Sequence, residues 1–191
     1  MLKNIPVGDT ERPVPPWALR LAKALPLVLL PHCLWRLPFA VDFRMGLLDP
    51  DAPGLTWWAP LYVTGLSVVT EALALLTLGL VSGWGEVFPS WVPVLRGRRV
   101  PPLAAVIPAT LGGLTLVALF DPMPLAWFDL LGFAEAPYAN GWWQALARVC
   151  TSTAMLWGPI TLALTYSYYR RRRRTAGAVP PPRNSRHGQN M

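Results

Sequence analysis

The sequence predicts an all-α polytopic membrane protein with four transmembrane helices and both termini on the cytoplasmic side. Three observations carry this. Of the 191 residues, 53% are hydrophobic and only 14% charged, against roughly 25% charged in an ordinary soluble domain. The apolar residues gather in four blocks, at about 18–40, 60–83, 102–120 and 142–169, each long enough to cross a hydrocarbon core of about 30 Å. Lysine and arginine gather at alternate block ends, the asymmetry that orients multi-span proteins.

The arm, residues 1–16, is polar and closes on Pro13, Pro15 and Pro16, a composition that builds no core of its own. Trp17 opens the first block, in which Arg20 and Lys23 sit near enough to one end to snorkel into headgroups. Lys23, Pro26 and Pro31 interrupt the apolar run, and no A-x-A site follows Pro38, so the block is not expected to be a cleaved signal peptide. Residues 41–59 hold Asp42 and the turn-forming run Asp49-Pro50-Asp51-Ala52-Pro53-Gly54, then the aromatic anchor Trp57-Trp58. These aspartates lack the longer ligand series and terminal glutamate of a calcium loop, so a solvated turn is expected. Pro60 suits the first turn of the second span, and Glu71 lies about 18 Å along its axis, near mid-membrane.

A connector follows, Trp84-Gly85-Glu86-Val87-Phe88-Pro89 through Trp91-Val92-Pro93 to Gly97-Arg98-Arg99-Val100-Pro101-Pro102. These residues resemble a connector of uncharacterised actinobacterial integral membrane proteins. The resemblance implies location and topology, and brings no activity with it.

The third span carries no charge and contains Pro108 and the pair Gly112-Gly113, which offer a kink or a close helix contact. Beyond Asp121, the stretch 124–133 is expected either as a short interfacial helix with a wet Asp129 or as an ordered loop. The fourth span opens at Trp142-Trp143 and closes at Tyr168-Tyr169. At about 42 Å it exceeds the core and should tilt or bend at Pro159. Arg170, Arg171, Arg172, Arg173 and Arg174 stop it, and residues 170–191 read as a disordered basic tail. The membrane domain is thus 17–169. Fourteen of the 17 basic residues fall on the arm and first flank, the second connector and the tail, whereas Asp42, Asp49, Asp51, Asp121, Asp129 and Glu135 fall opposite.

A net charge of +7 invites a nucleic-acid reading. The charges lie at span ends with no aromatic-lined groove or helix-turn-helix pattern, so the bilayer and its anionic cytoplasmic lipids, met by Arg170 to Arg174, are the expected partners. Cys33 and Cys150 form no C-x-x-C, and His32 and His187 are the only histidines, in no metal-ligand spacing. No G-x-G-x-x-G or P-loop occurs, and no cofactor is expected.

One constellation carries chemistry. Thr64, Ser67 and Glu71 share a face of the second span, with Thr70 about a hundred degrees away. His32 and Arg36 lie four apart on the first, and Arg148, Thr151 and Ser152 open the fourth. An ionisable group at mid-membrane tends to face a partner or a cavity. Glu71 is therefore expected to pair with Arg148, with His32 or Arg36 as alternatives, or to stand protonated. A structural or accessory protein docking a membrane partner is the expected function. The alternatives are a subunit of an oligomeric transporter or channel built around Glu71, and a membrane enzyme acting on lipid or quinone, which the missing motifs disfavour.

Overall fold

The computed structural model describes residues 10, 12–48, 56–87 and 100–176, with side chains as far as Arg173. The Asp49–Gly54 turn, the arginines at 96, 98 and 99 and residues 177–191 lie outside the described residues. Regular structure among the described residues is helical, apart from one isolated antiparallel bridge between Leu47 and Tyr138. Helix α1 is Pro16–Arg36, α2 Ala59–Leu76, α3 Pro102–Phe120, α4 Met123–Trp127, α5 Gly141–Ser152 and α6 Trp157–Ala176.

Prolines set the starts. Pro16, Pro60 and Pro102 each occupy the first or second helical position, where a missing N–H costs nothing. Asn140 caps α5 by accepting a 3.1 Å hydrogen bond from the Trp143 amide. Helices α1 and α2 each tighten into a 3₁₀ turn, Leu37–Val41 and Thr77–Val81. With those turns included, the segments Pro16–Val41, Ala59–Val81 and Pro102–Trp127 are long and apolar enough to cross a membrane. Helix α4 is only five residues long, and left-handed backbone at Asp129, Leu131 and Gly132 ends it in a turn.

The fourth block is helical but broken. A 3₁₀ turn at Thr153–Leu156 separates α5 from α6 just ahead of Pro159. The proline ring removes the bond to the carbonyl four residues back and crowds it. Thr151, Ser152 and Thr153 add hydroxyl bonds to the carbonyls of Ala147, Val149 and Cys150, which bend a helix further. The residues expected as the start of a disordered tail continue α6 to Ala176. Their inward-facing members have partners in the protein, so the chain stays ordered past Tyr169.

Helix α1 is central, contacting α2, α5 and α6, and its inward stripe Ala18, Ala22, Leu25, Leu29, His32 and Cys33 follows the three-four spacing of a helix face. Three buried layers stack along the bundle: Ala18, Ala22, Leu80, Val81, Leu164 and Tyr168; then Leu25, Leu29, Ala74 and Trp157; then Trp35, Met45 and Ala147. Helix α3 rests chiefly on α6, and Gly113 is its one fully buried residue. The seam is close because Gly158 of α6 faces Gly113 and Val117 of α3, backbone to backbone.

The bundle has two chemically distinct ends. At one, the starts of α1 and α3 meet the end of α6, where the arginines are. At the other, the two loops that follow α1 and α4 join, Leu48 N donating to Pro137 O at 2.8 Å and Ala139 N to Gly46 O at 2.7 Å.

Candidate functional site

The expected polar cluster assembles only in part. Helices α1 and α2 meet through Cys33, Ser67 and Glu71. The Ser67 hydroxyl donates to Cys33 O at 3.3 Å, and the Cys33 thiol approaches Ser67 O at 3.8 Å and Glu71 Oε2 at 3.9 Å. These are long, weak sulfur contacts. Cys33, read from sequence as a small buried hydrophobe, is thus a contact of Glu71 across the α1–α2 seam. The inward polar residues of α2 are Ser67 and Thr70, continued by Thr77 in the 3₁₀ turn that follows, whereas Thr64 faces outward. Thr70 is buried along with Ala74, one turn on, which packs into the middle core layer.

His32 is 4% exposed, and neither ring nitrogen has a hydrogen-bond partner. Its ring meets Phe120 edge to face at 5.6 Å between centroids, and Phe120 stacks on Trp157 at 6.4 Å. It therefore packs as an aromatic. Arg36, one turn on, is partly buried and makes no hydrogen bond or ion pair among the described residues.

Arg148 does not pair with Glu71. Its Nη2 lies 2.6 Å from Glu135 Oε2, its Nε donates to the same carboxylate at 3.2 Å, and Nη2 also reaches Trp127 O at 3.3 Å. Gln144 donates to Glu135 at 2.8 Å from the preceding turn of α5. The reason is position. Glu135 sits in the loop just before α5, level with the head of that helix, whereas a mid-helix Glu71 leaves an axial gap. Burial alone would raise the Glu135 carboxyl, but the bonds from Arg148 and Gln144 and the arginine charge outweigh it and hold the group below the ordinary carboxylate range. The same burial, and the nearby Glu135 charge, push the Tyr138 phenol up.

A depressed folded-state carboxyl stabilises the fold above its unfolded value of about 4.3, and that contribution disappears as pH falls through the lower folded value. We therefore expect the detergent melting temperature of the protein to drop more steeply below about pH 4.5 than that of Glu135→Gln, whose acid slope should lack this component. Identical slopes would show that the pair adds no stability.

Arg171 forms the densest polar contact. Only 8% exposed, it donates from Nη2 to Leu80 O at 2.7 Å and from Nη1 to Arg12 O at 3.5 Å, and its Nη1 lies 3.4 Å from Glu86 Oε1. Glu86 is 3% exposed, and its carbonyl accepts from Val100 N at 2.9 Å. Arg172 Nη2 donates to Val100 O at 2.8 Å, and the Tyr168 hydroxyl donates to Gly85 O at 3.0 Å. Helix α6 thus ties the arm, the end of α2 and both margins of the second connector into one junction. Of the five arginines expected on a lipid surface, Arg171 and Arg172 turn inward. Arg170 and Arg173 are exposed, held over Tyr166 and Tyr169 at 5.7 and 5.2 Å, and the side chain of Arg174 lies outside the described residues. Sequence reasoning missed Glu86, Tyr168 and Glu135 as partners. The available signal was the spacing Tyr168-Arg171 and Thr165-Tyr168, which continues the inward face of α6 through the charges.

No group of three or more histidine, cysteine or acidic side chains among the described residues is placed to hold a metal. Compared with protein-family models, curated proteins and solved structures, the chain matches none.

Proposed function

We propose that this chain is a four-span integral membrane protein of the cell membrane, with both termini cytoplasmic, acting as a structural or accessory subunit of a membrane complex. The single observation that carries the reading is the separation of the two ends. The arm, the second connector and the end of α6 converge on Arg171 and Arg172, while the acid-bearing loops join through Leu48, Pro137, Gly46 and Ala139. Basic flanks on one side and acidic flanks on the other are the signature of an oriented bundle. With α1 leaving the basic end, α6 must bring the chain back to it. Its lower apolarity reflects the arginines it carries into the headgroup region, where Arg170 and Arg173 meet anionic lipid.

The accessory reading follows from how the polar groups are used. Arg171 and Arg148 each fasten separate elements, as staples do. Helix α3 leaves Leu103, Ile107, Leu111 and Leu114 more than half exposed, an apolar face open to lipid or to a partner helix. The conduit reading rests on Glu71, partly buried about 18 Å into α2 beside Ser67 and Cys33.

Topology is checked by labelling. With Cys33 and Cys150 replaced, cysteines at Gly54 and Ala136 should react with an impermeant thiol reagent on intact cells and one at Ala178 should not. Strong labelling at Ala178 would reverse the orientation. Function is checked by purifying the tagged chain in mild detergent, where a membrane protein should co-purify in fixed ratio. Ion flux through liposomes containing this chain alone, abolished by Glu71→Leu, would instead favour the conduit.

A further inference from the structure

The end of the arm is seated on the bundle. Pro13 and Pro15 restrict its backbone, and Pro15 is extended at φ −55° and ψ 136°. Val14, between them, packs on the core layer that holds Ala18, Leu164 and Tyr168. Arg12 O takes bonds from the Thr10 hydroxyl at 2.5 Å and from the Arg171 guanidinium at 3.5 Å. Between this arm, the first turn of α1 and the end of α6 lies a cavity of about 380 Å³, lined chiefly by Arg12, Pro13, Trp17, Tyr166, Arg170 and Arg171. That volume is within the roughly 300–1,000 Å³ of small-molecule sites. We propose that this cavity binds the phosphate of one anionic phospholipid of the cytoplasmic leaflet. The proposal rests on the four-span reading above and adds one defined headgroup site to it.

Charge selects an anion. Three of the lining side chains are arginines, and no acidic side chain lines the cavity among the described residues. Arg170 is exposed, its guanidinium held 5.7 Å from the centre of the Tyr166 ring. It offers the planar donor fork that bonds two phosphate oxygens at once. Arg171, 8% exposed and bonded inward to Leu80 O and Glu86, adds positive charge from the cavity wall. The segments assigned to this side carry fourteen basic residues against three acidic ones, Asp9, Glu11 and Glu86, so a positive excess remains whatever those three neutralise.

Depth selects a lipid phosphate over a soluble one. The first span, Pro16–Val41, has 26 residues, about 39 Å at 1.5 Å per residue, more than a core of about 30 Å needs. Arg20 and Lys23 place the excess at the arm end, so Trp17 stands in the headgroup layer. Trp17 and Tyr166, 46% and 60% exposed, flank the cavity as the aromatic belt of that layer does. A phospholipid already carries its phosphate at this depth, and basic pockets at the cytoplasmic ends of spans hold such headgroups.

Two arginines of the same run separate a site from a diffuse basic surface. The full chain is reconstituted in vesicles holding equal phosphatidylglycerol and phosphatidylcholine, re-extracted in mild detergent, and weighed by native mass spectrometry. Wild type should retain one phospholipid, phosphatidylglycerol over phosphatidylcholine by at least about fivefold, and Arg170→Gln should lower that retention about fivefold, the weight of one arginine at an anionic surface. Arg173→Gln removes the same charge, but from over Tyr169 and outside the lining, and should leave retention unchanged. Arg12→Gln keeps the carbonyl that Arg171 uses and should act like Arg170→Gln, so either lining variant that melts as wild type does suffices. Glycerol phosphate added to the extracted protein should not displace the lipid. A wild type without bound lipid, equal retention of the two lipids, undiminished retention in a folded lining variant, an equal loss in Arg173→Gln, or displacement by glycerol phosphate would each overturn the site. The Ala178 labelling reports topology separately, so an absent lipid with correct labelling leaves the four-span reading standing.

Discussion

Arg171→Leu should destabilise the protein by roughly 3–5 kcal/mol, the cost of breaking a buried ion pair. Removing the guanidinium takes the Arg171 charge away from a Glu86 carboxylate that is 3% exposed, and strips a 2.7 Å bond from Leu80 O. Glu86→Leu should cost a similar amount, because it removes the carboxylate 3.4 Å from a cation that is 8% exposed. The double variant should be much less destabilised than the two losses added, since the two residues are coupled and the pair is then removed as a unit. Arg170→Leu is the control: its side chain is exposed over Tyr166, and its loss should stay within about 1 kcal/mol. Melting in detergent measures all four. If Arg171→Leu and Arg170→Leu melt alike, the junction does not hold the bundle together.

The contrast between these arginines shows what the sequence discloses. Span positions are legible because an apolar block of about 20 residues, a proline at its first turn and an aromatic pair at its margin are local signals. The bend in the fourth block is nearly legible too, since Pro159 forces it, although three consecutive hydroxyl residues place the break a few residues earlier. A run of five arginines carries no comparable local signal for which members turn inward. Its inward members are chosen by helical phase, and their partners lie 85 residues away at Glu86 and 72 away at Val100. Glu71 shows the opposite failure. Depth alone marks it as unusual, but depth cannot choose among cations. Arg148 went to Glu135, 13 residues back, because a loop at the head of its own helix brings a carboxylate level with it.

The α3–α6 seam should be the second most sensitive place, and its two glycines should differ. A Cβ on Gly158 would lie 2.7 Å from Val117 N and 3.0 Å from Gly113 O, both backbone atoms that cannot swing aside, so the helices must separate. A Cβ on Gly113 would lie 2.8 Å from Leu162 Cδ2, the far end of a flexible side chain. Gly158→Ala should therefore cost about 2–3 kcal/mol, in the range of an overpacked core, and Gly113→Ala about 1 kcal/mol or less. Gly65→Ala and Gly112→Ala, which meet nothing within 4 Å, should be neutral or gain up to about 1 kcal/mol from helix propensity. Because α3 buries only Gly113 fully and leans chiefly on α6, Gly158→Ala should also open that helix locally. A cysteine at Leu116, in a chain lacking Cys33 and Cys150, should then react faster with a small thiol reagent in the Gly158→Ala background than in the Gly113→Ala background. Equal costs at the two glycines, with equal labelling, would mean that α3 is held by something other than this backbone contact.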